Sequence, residues 1–141
     1  METNDDSLER FLRAQLWDYE TALKEISAGC KMSHWMWYIF PQMRGLGRSE
    51  NAIYYGIKDL EEAREYLNHP VLGARLREIT TAFLQLSGVS AKEVLGHTDA
   101  MKMLSCMTLF NMVSPNDIFL QVINKYYNGR DDRLTLSLLK I

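Results

Sequence analysis

Residues 99–113, read as Asp99-Ala-Met-Lys-Met-Leu-Ser-Cys-Met-Thr-Leu-Phe-Asn-Met-Val113, decide the fold. Wound as a helix, the stretch carries Met101, Met103, Leu104, Cys106, Met107, Leu109, Phe110, Met112 and Val113 on every side. A helix that is apolar all round is a buried one, so this segment is predicted to be the central helix of the fold, with Leu104, Leu109 and Phe110 among the most buried residues. Its polar members then need partners, because a buried charge is costly unless it is paired or hydrogen-bonded. Asp99 and Lys102, three apart, can reach each other, whereas Ser105 and Thr108 lie on a different face and can bond to carbonyls one turn back. Two meanings stay open for Asp99 and Lys102: a structural ion pair at a helix start, or the polar lining of a ligand pocket.

A central helix must be surrounded, and the rest of the chain supplies amphipathic helices. Asp6 and Glu9 form a capping box for a first helix from about Ser7 to Ala28, with Leu8, Phe11, Leu12, Leu16, Tyr19, Leu23 and Ile26 on one stripe and Gly29 at its end. Trp17 points away from that stripe and is expected to be covered by the carboxy-terminal segment or by another subunit. Ser49 caps a segment holding Ile53, Tyr54 and Tyr55. Asp59 with Glu62, and Ser90 with Glu93, are two further capping boxes. Pro70 and Ser114-Pro115 are placed to open helices, and a last short helix from about Asp132 would dock Leu134, Leu138 and Ile141. No repeat or linker interrupts the series, so the expectation is an all-α fold, one compact multi-helix domain over residues 1–141.

The second dense segment is Lys31 to Gly47, KMSHWMWYIFPQMRGLG, where His34 sits among Trp35, Trp37, Tyr38 and Phe40. Such a cluster either anchors the core or walls a pocket. Ser33 can cap a short helix there, which Pro41 ends at Phe40; alternation of Trp35, Trp37 and Ile39 leaves a strand as the alternative. The loop from Arg44 to Ser49 could present backbone N–H groups and guanidinium groups to an anion, or be a tight turn with solvated arginines; it has no Walker pattern.

Composition narrows the function classes. A chain of 141 residues, 47% hydrophobic and 24% charged, can bury a real core without staples. A net charge of −2 gives no global field for a polyanion, so no nucleic-acid partner is expected; only Lys31, Arg44, Arg48 and Lys58 suggest local basic character. An acidic amino terminus and the absence of a long apolar run predict a cytoplasmic protein with no membrane partner. Cys30 and Cys106 read as reduced thiols. Cys30 and His34 alone do not make a metal site, and no metal or cofactor is expected. His34, His69 and His97 each precede or open a predicted helix; His69 reads first as a cap, His97 as a loop residue, and His34 as the histidine best placed for acid–base work.

Several phrases then add up: Ser33-His34-Trp35-Met36-Trp37, Ile39-Phe40-Pro41-Gln42, Gly45-Leu46-Gly47 with Ser49, His69-Pro70 with Leu72-Gly73 and Arg75-Leu76, and Asp99 and Lys102 with Met107-Thr108-Leu109-Phe110. Together they resemble the bacterial domain-of-unknown-function family 1810, often automatically labelled calpastatin, over about Phe11 to Leu139. The visible departure is Ser105-Cys106, where the family pattern has two serines. The resemblance implies a compact all-helical fold and no substrate. Calpastatin-type inhibitors are extended disordered chains, and the apolar content and capping of this sequence are those of a folded domain.

Two functions compete. In the first, a small anionic or nucleotide-like ligand binds, with or without turnover, between the His34 to Ser49 segment and the 99–113 helix. Trp35, Trp37, Gln42, Arg44 and Ser49 would hold it, and His34, Asp99 and Lys102 would be the acid–base candidates. In the second, the chain is a non-enzymatic interaction module anchored by exposed aromatics such as Trp17 and Trp35. A monomer or weak homodimer is expected. Convergence of His34, Gln42, Asp99 and Lys102 on one concavity would favour the first; a flat aromatic patch with those groups scattered would favour the second.

Overall fold

The computed structural model of the protein describes residues 7–140. Among them the chain forms α1 (Glu9–Ser27), α2 (Met36–Ile39), α3 (Glu50–Tyr54), α4 (Leu60–Asn68), α5 (Leu72–Leu84), α6 (Ala91–Leu95), α7 (His97–Val113), α8 (Ile118–Tyr127) and α9 (Arg133–Leu138). The described residues hold no strand, only an isolated parallel bridge between Met43 and Ile57. The fold is all-α. Among the described residues no helix is long and apolar enough to cross a membrane.

The all-round apolarity of α7 makes it the axis of the domain: α4, α6, α8 and α9 all pack on it, while α5 gathers α1, α4 and α8. Met103, Cys106, Met107, Leu109 and Phe110 are fully buried. Phe110 meets Tyr66 of α4 and Phe119 of α8 with ring centroids 5.5 and 5.8 Å apart. Burial also pushes the Cys106 thiol well above its usual range, so the residue serves as a small hydrophobe. Leu104 departs from expectation, because it is only partly buried and borders a cavity rather than the core.

Helix α1 buries Phe11, Gln15, Tyr19, Ala22 and Ile26, a stripe of helical period that leaves Leu16 on its flank, 68% exposed. Trp17 is 82% exposed, and the carboxy-terminal helix, which packs on α7, does not reach it. The Asp6 half of the first capping box and the docking of Ile141 lie outside the described residues.

Most termini follow the local chemistry read from the sequence. The Ser90–Glu93 box is complete, Ser49 accepts from the Ala52 N–H, and His69 Nδ1 accepts from the Val71 and Leu72 N–H groups as a cap. The Asp59–Glu62 box is only half made: Asp59 accepts from the Glu62 N–H, but the Glu62 carboxylate is drawn away to Arg10 and the Lys58 N–H. Ser114-Pro115 does not open α8; Ser114 donates to Asp117, and Asp117 is the cap. Likewise α2 begins at Met36 without a side-chain cap, since Ser33 is engaged by Glu25.

Two glycines are required where the site is built. At Gly56 a Cβ would lie 2.6 Å from Arg44 Cα, so only glycine lets the 42–44 and 56–57 segments run together, bonded Arg44 N–H to Ile57 O and Ile57 N–H to Gln42 O. Gly96, at φ +86°, turns the chain from α6 directly into α7.

Candidate functional site

Where the amino-terminal half of α7 meets the 42–49 loop and α9, the packing leaves a cavity of about 550 Å³. Its walls are mainly apolar: Trp37, Leu46, Met101, Leu104, Leu134 and the ring of Tyr127. The Tyr127 hydroxyl is committed to the Ala100 carbonyl at 2.6 Å, and burial raises its pKa, so it presents its ring and keeps its proton. Polar groups enter from three sides, with Gln42, Arg48 and Ser49 on the loop, Lys102 and Ser105 on α7, and Asp132 at the start of α9. Few convergent polar groups in an apolar hollow is the usual make-up of a small-molecule site.

The charged edge is built around Asp99. Its Oδ2 lies 2.9 Å from Lys31 Nζ and its Oδ1 3.6 Å from Lys102 Nζ, and each ammonium sits 4.7 Å from an indole centroid, Lys31 over Trp35 and Lys102 over Trp37. Lys31 also donates to the Ser33 carbonyl and is nearly buried. It is saturated. Lys102 has, among the described residues, no hydrogen-bond partner within ordinary range, its close carboxylate being the one at 3.6 Å.

Behind this edge Glu25 of α1 gathers the loop that precedes α2. Its carboxylate accepts from the Met32 and Ser33 N–H groups, the Ser33 hydroxyl and the Trp35 indole N–H, at 2.6–2.9 Å. Burial opposes its ionisation, but the donors, the Ser33 hydroxyl foremost, outweigh that and hold its pKa down at about 2. Trp35 is therefore a fixed core residue, 1% exposed, and stands behind the cavity wall. It is unavailable to a docking partner.

The two hydroxyls of α7 find the partners that their burial demands. Ser105 Oγ lies 2.9 Å from Asp132 Oδ2, with the Met101 carbonyl one turn back as its alternative acceptor at 3.2 Å, and Thr108 Oγ1 accepts from the Asp132 N–H at 2.9 Å. Asp132 in turn caps α9 through Thr135, accepting from its hydroxyl at 2.6 Å and its N–H at 3.3 Å. Helix α9 is thus clipped to the axis at the cavity floor.

Of the residues singled out in the sequence, Trp37, Gln42, Ser49 and Lys102 come together around the cavity. Asp99 stands beside it through Lys102, whereas His34 is exposed and Arg44 is half-buried, neither bordering the hollow. The Ser49 hydroxyl is occupied as the α3 cap. His97, read as a loop residue, is the first residue of α7 and borders the cavity with Thr98. Asp132 and Tyr127 carried no signal beyond a capping aspartate and a helical aromatic; only the tertiary fold brings them to Lys102. Among the described residues no group of His, Cys, Asp and Glu could hold a metal ion.

A second hollow between α1 and α5, about 590 Å³, has its charged side chains engaged: Arg77 pairs with Asp117 at 2.7 Å and Glu78 accepts from Tyr19 at 2.5 Å. The cavity beside α7 holds, in addition to the free edge of Lys102, an amide on a largely buried residue. The Gln42 carboxamide, on a residue only 9% exposed, has no hydrogen-bond partner among the described residues.

Comparison with known proteins agrees with this architecture. No curated protein matches the chain. A conserved hypothetical protein of Mycobacterium tuberculosis, Rv1873, whose crystal structure is known at 1.38 Å, superposes with a TM-score of 0.93 at 46% sequence identity, covering 95% of this chain and 96% of that one. The family model described as protein of unknown function (DUF1810) matches residues 5–139, nearly the whole chain, and the protein belongs to that family.

Proposed function

We propose that the protein binds a small anionic, nucleotide-like molecule in the cavity beside α7. The observation that carries this reading is the Gln42 carboxamide, on a residue 9% exposed and without a protein partner among the described residues, in the same hollow as the under-coordinated Lys102 ammonium. Its amide atoms are reached by solvent through the hollow, and a ligand offering both a donor and an acceptor replaces that water. Lys102 and Arg48 supply positive charge for an anionic group, and the start of α7, which has no side-chain cap, adds N–H groups of the same sense. Trp37 and Tyr127 supply flat surface for a ring.

Titration calorimetry with adenosine monophosphate and with inorganic phosphate tests the reading. Saturable binding of the nucleotide, weakened in Lys102→Met and in Gln42→Leu, is the expected result. No heat with either probe, together with a bare mass for freshly purified protein in native mass spectrometry, would end it.

A partner surface is the second reading, and Trp17 with its neighbour Leu16, both strongly exposed on α1, is the observation that favours it. Sedimentation over a range of concentrations distinguishes the two, since a Trp17-dependent self-association would belong to the surface and not to the cavity.

A further inference from the structure

We infer that Asp132 is the second recognition pole of the cavity and that the ligand is a hydroxyl-bearing phosphate of the ribonucleotide or sugar-phosphate type, the carboxylate accepting from its sugar hydroxyls. This rests on the anion reading of the same cavity. The two oxygens of Asp132 are used unequally: Oδ2 takes the Ser105 hydroxyl, the Thr135 hydroxyl and the Thr135 N–H, while Oδ1 has no hydrogen-bond partner among the described residues. Asp132 borders the cavity, and with Oδ2 turned to α7 and α9 the remaining acceptor is Oδ1. An ionised carboxylate only accepts, so it selects donors and repels a second anionic group. The cavity therefore offers both kinds of partner along one wall: helix N–H groups at the start of α7, the Lys102 ammonium between, and an acceptor at Asp132, held through Ser105.

The span fits that chemistry. His97 and Ser105, which bracket the α7 wall, are eight residues apart, about 12 Å at the helical rise. This length accommodates a phosphate and the sugar bearing it, with the Gln42 carboxamide available to the atoms between. A simple anion would leave both Gln42 and Asp132 Oδ1 without partners; a purely apolar ring would leave Lys102 so as well.

The test compares adenosine monophosphate with its 2′,3′-dideoxy analogue, which keeps ring and phosphate but has lost both ribose hydroxyls. The wild-type chain should bind the ribonucleotide about 10-fold or more tightly over the analogue, the discrimination expected of a hydrogen bond to a charged acceptor. Asp132→Asn is the matching variant. Asparagine is also a good helix cap, and its amide oxygen can replace Oδ2 toward Ser105 and Thr135, which turns an NH₂ donor to the cavity. In this variant the preference should fall to within about 2-fold, with binding of the analogue unchanged and the melting temperature close to wild type. Ribose 5-phosphate as a third probe separates the sources: binding near that of the nucleotide indicates a sugar phosphate, and much weaker binding a nucleotide. Equal affinity for ribonucleotide and analogue, or a preference that survives in Asp132→Asn, overturns the assignment while leaving the anion site standing. No binding of any phosphate overturns both.

Discussion

Two neighbouring regions of the molecule handle charge in opposite ways. At the junction of α1, α3 and α4, Arg10 is buried and bonded at every side-chain nitrogen: Nε donates to the Tyr54 carbonyl, Nη1 to the Ser7 carbonyl and Glu62 Oε2, and Nη2 to the Gly56 carbonyl, at 2.6–3.0 Å. Glu62 Oε1 is taken by the Lys58 N–H. Every polar atom of that pair faces protein. At the α7 edge, Lys102 has a carboxylate at 3.6 Å, and the Gln42 carboxamide and Asp132 Oδ1 have no partner among the described residues. A charge that the fold needs for its own architecture is saturated by the fold; one left partly unmade beside a cavity is kept for something else.

The contrast breaks first, if it is wrong, at Arg10. Arg10→Met strands the Glu62 carboxylate in the interior and should cost about 3–5 kcal/mol, read as a large fall in urea midpoint or melting temperature. A melting temperature within a few degrees of wild type would mean the closed knot is not structural. Lys102→Met should do the reverse. Asp99 retains Lys31 at 2.9 Å, so stability should change by no more than about 1 kcal/mol, while affinity for a phosphate should fall about 10- to 100-fold. A collapse in stability with binding intact would move Lys102 to the structural class.

Glu25 sharpens the comparison through pH. Its folded pKa, about 2, lies below the unfolded carboxylate value, so its stabilisation is fully present above about pH 5 and is lost as pH falls through 4 toward 2. Glu25→Gln should therefore cost about 1–2 kcal/mol near pH 7, after allowance for solvent screening, and almost nothing near pH 2. Denaturant titrations at the two pH values check it; a cost independent of pH would assign the effect to packing. Smallest is Trp17→Ser, expected within about 0.5 kcal/mol of wild type, because the indole is already in solvent.

What was legible in the sequence was what local physics determines. The period of apolar residues made α7 central, and short-range capping chemistry set the starts of α3, α4 and α6. Gln42 and Lys102 could be singled out because each is polar within or beside an apolar run. Partners far apart in sequence were not legible: Lys31 reaches Asp99, and Asp132 reaches Ser105, across the fold, with nothing in the spacing to announce either. The indole of Trp35 was misread for the same reason, since the Glu25 that fixes it lies on another helix. Trp17 was expected to be covered by the carboxy-terminal segment or by another subunit; within the chain it stands in solvent, which is tolerated because the neighbouring face of α1 already fills the core.

The Arg10 knot also bears on how long the folded state lasts. Apart from the local Ser7 carbonyl, its acceptors lie 44, 46 and 52 residues downstream, so they come within reach only when α1, α3 and α4 have come together, and a half-formed version would leave a charge dehydrated and poorly paired. Such a contact is expected to form after the rate-limiting step of folding and to be among the first that break in reverse. Its removal should accelerate escape from the native basin and leave the rate of entry nearly untouched, which makes a residue of the first helix turn a latch on the lifetime of the whole domain.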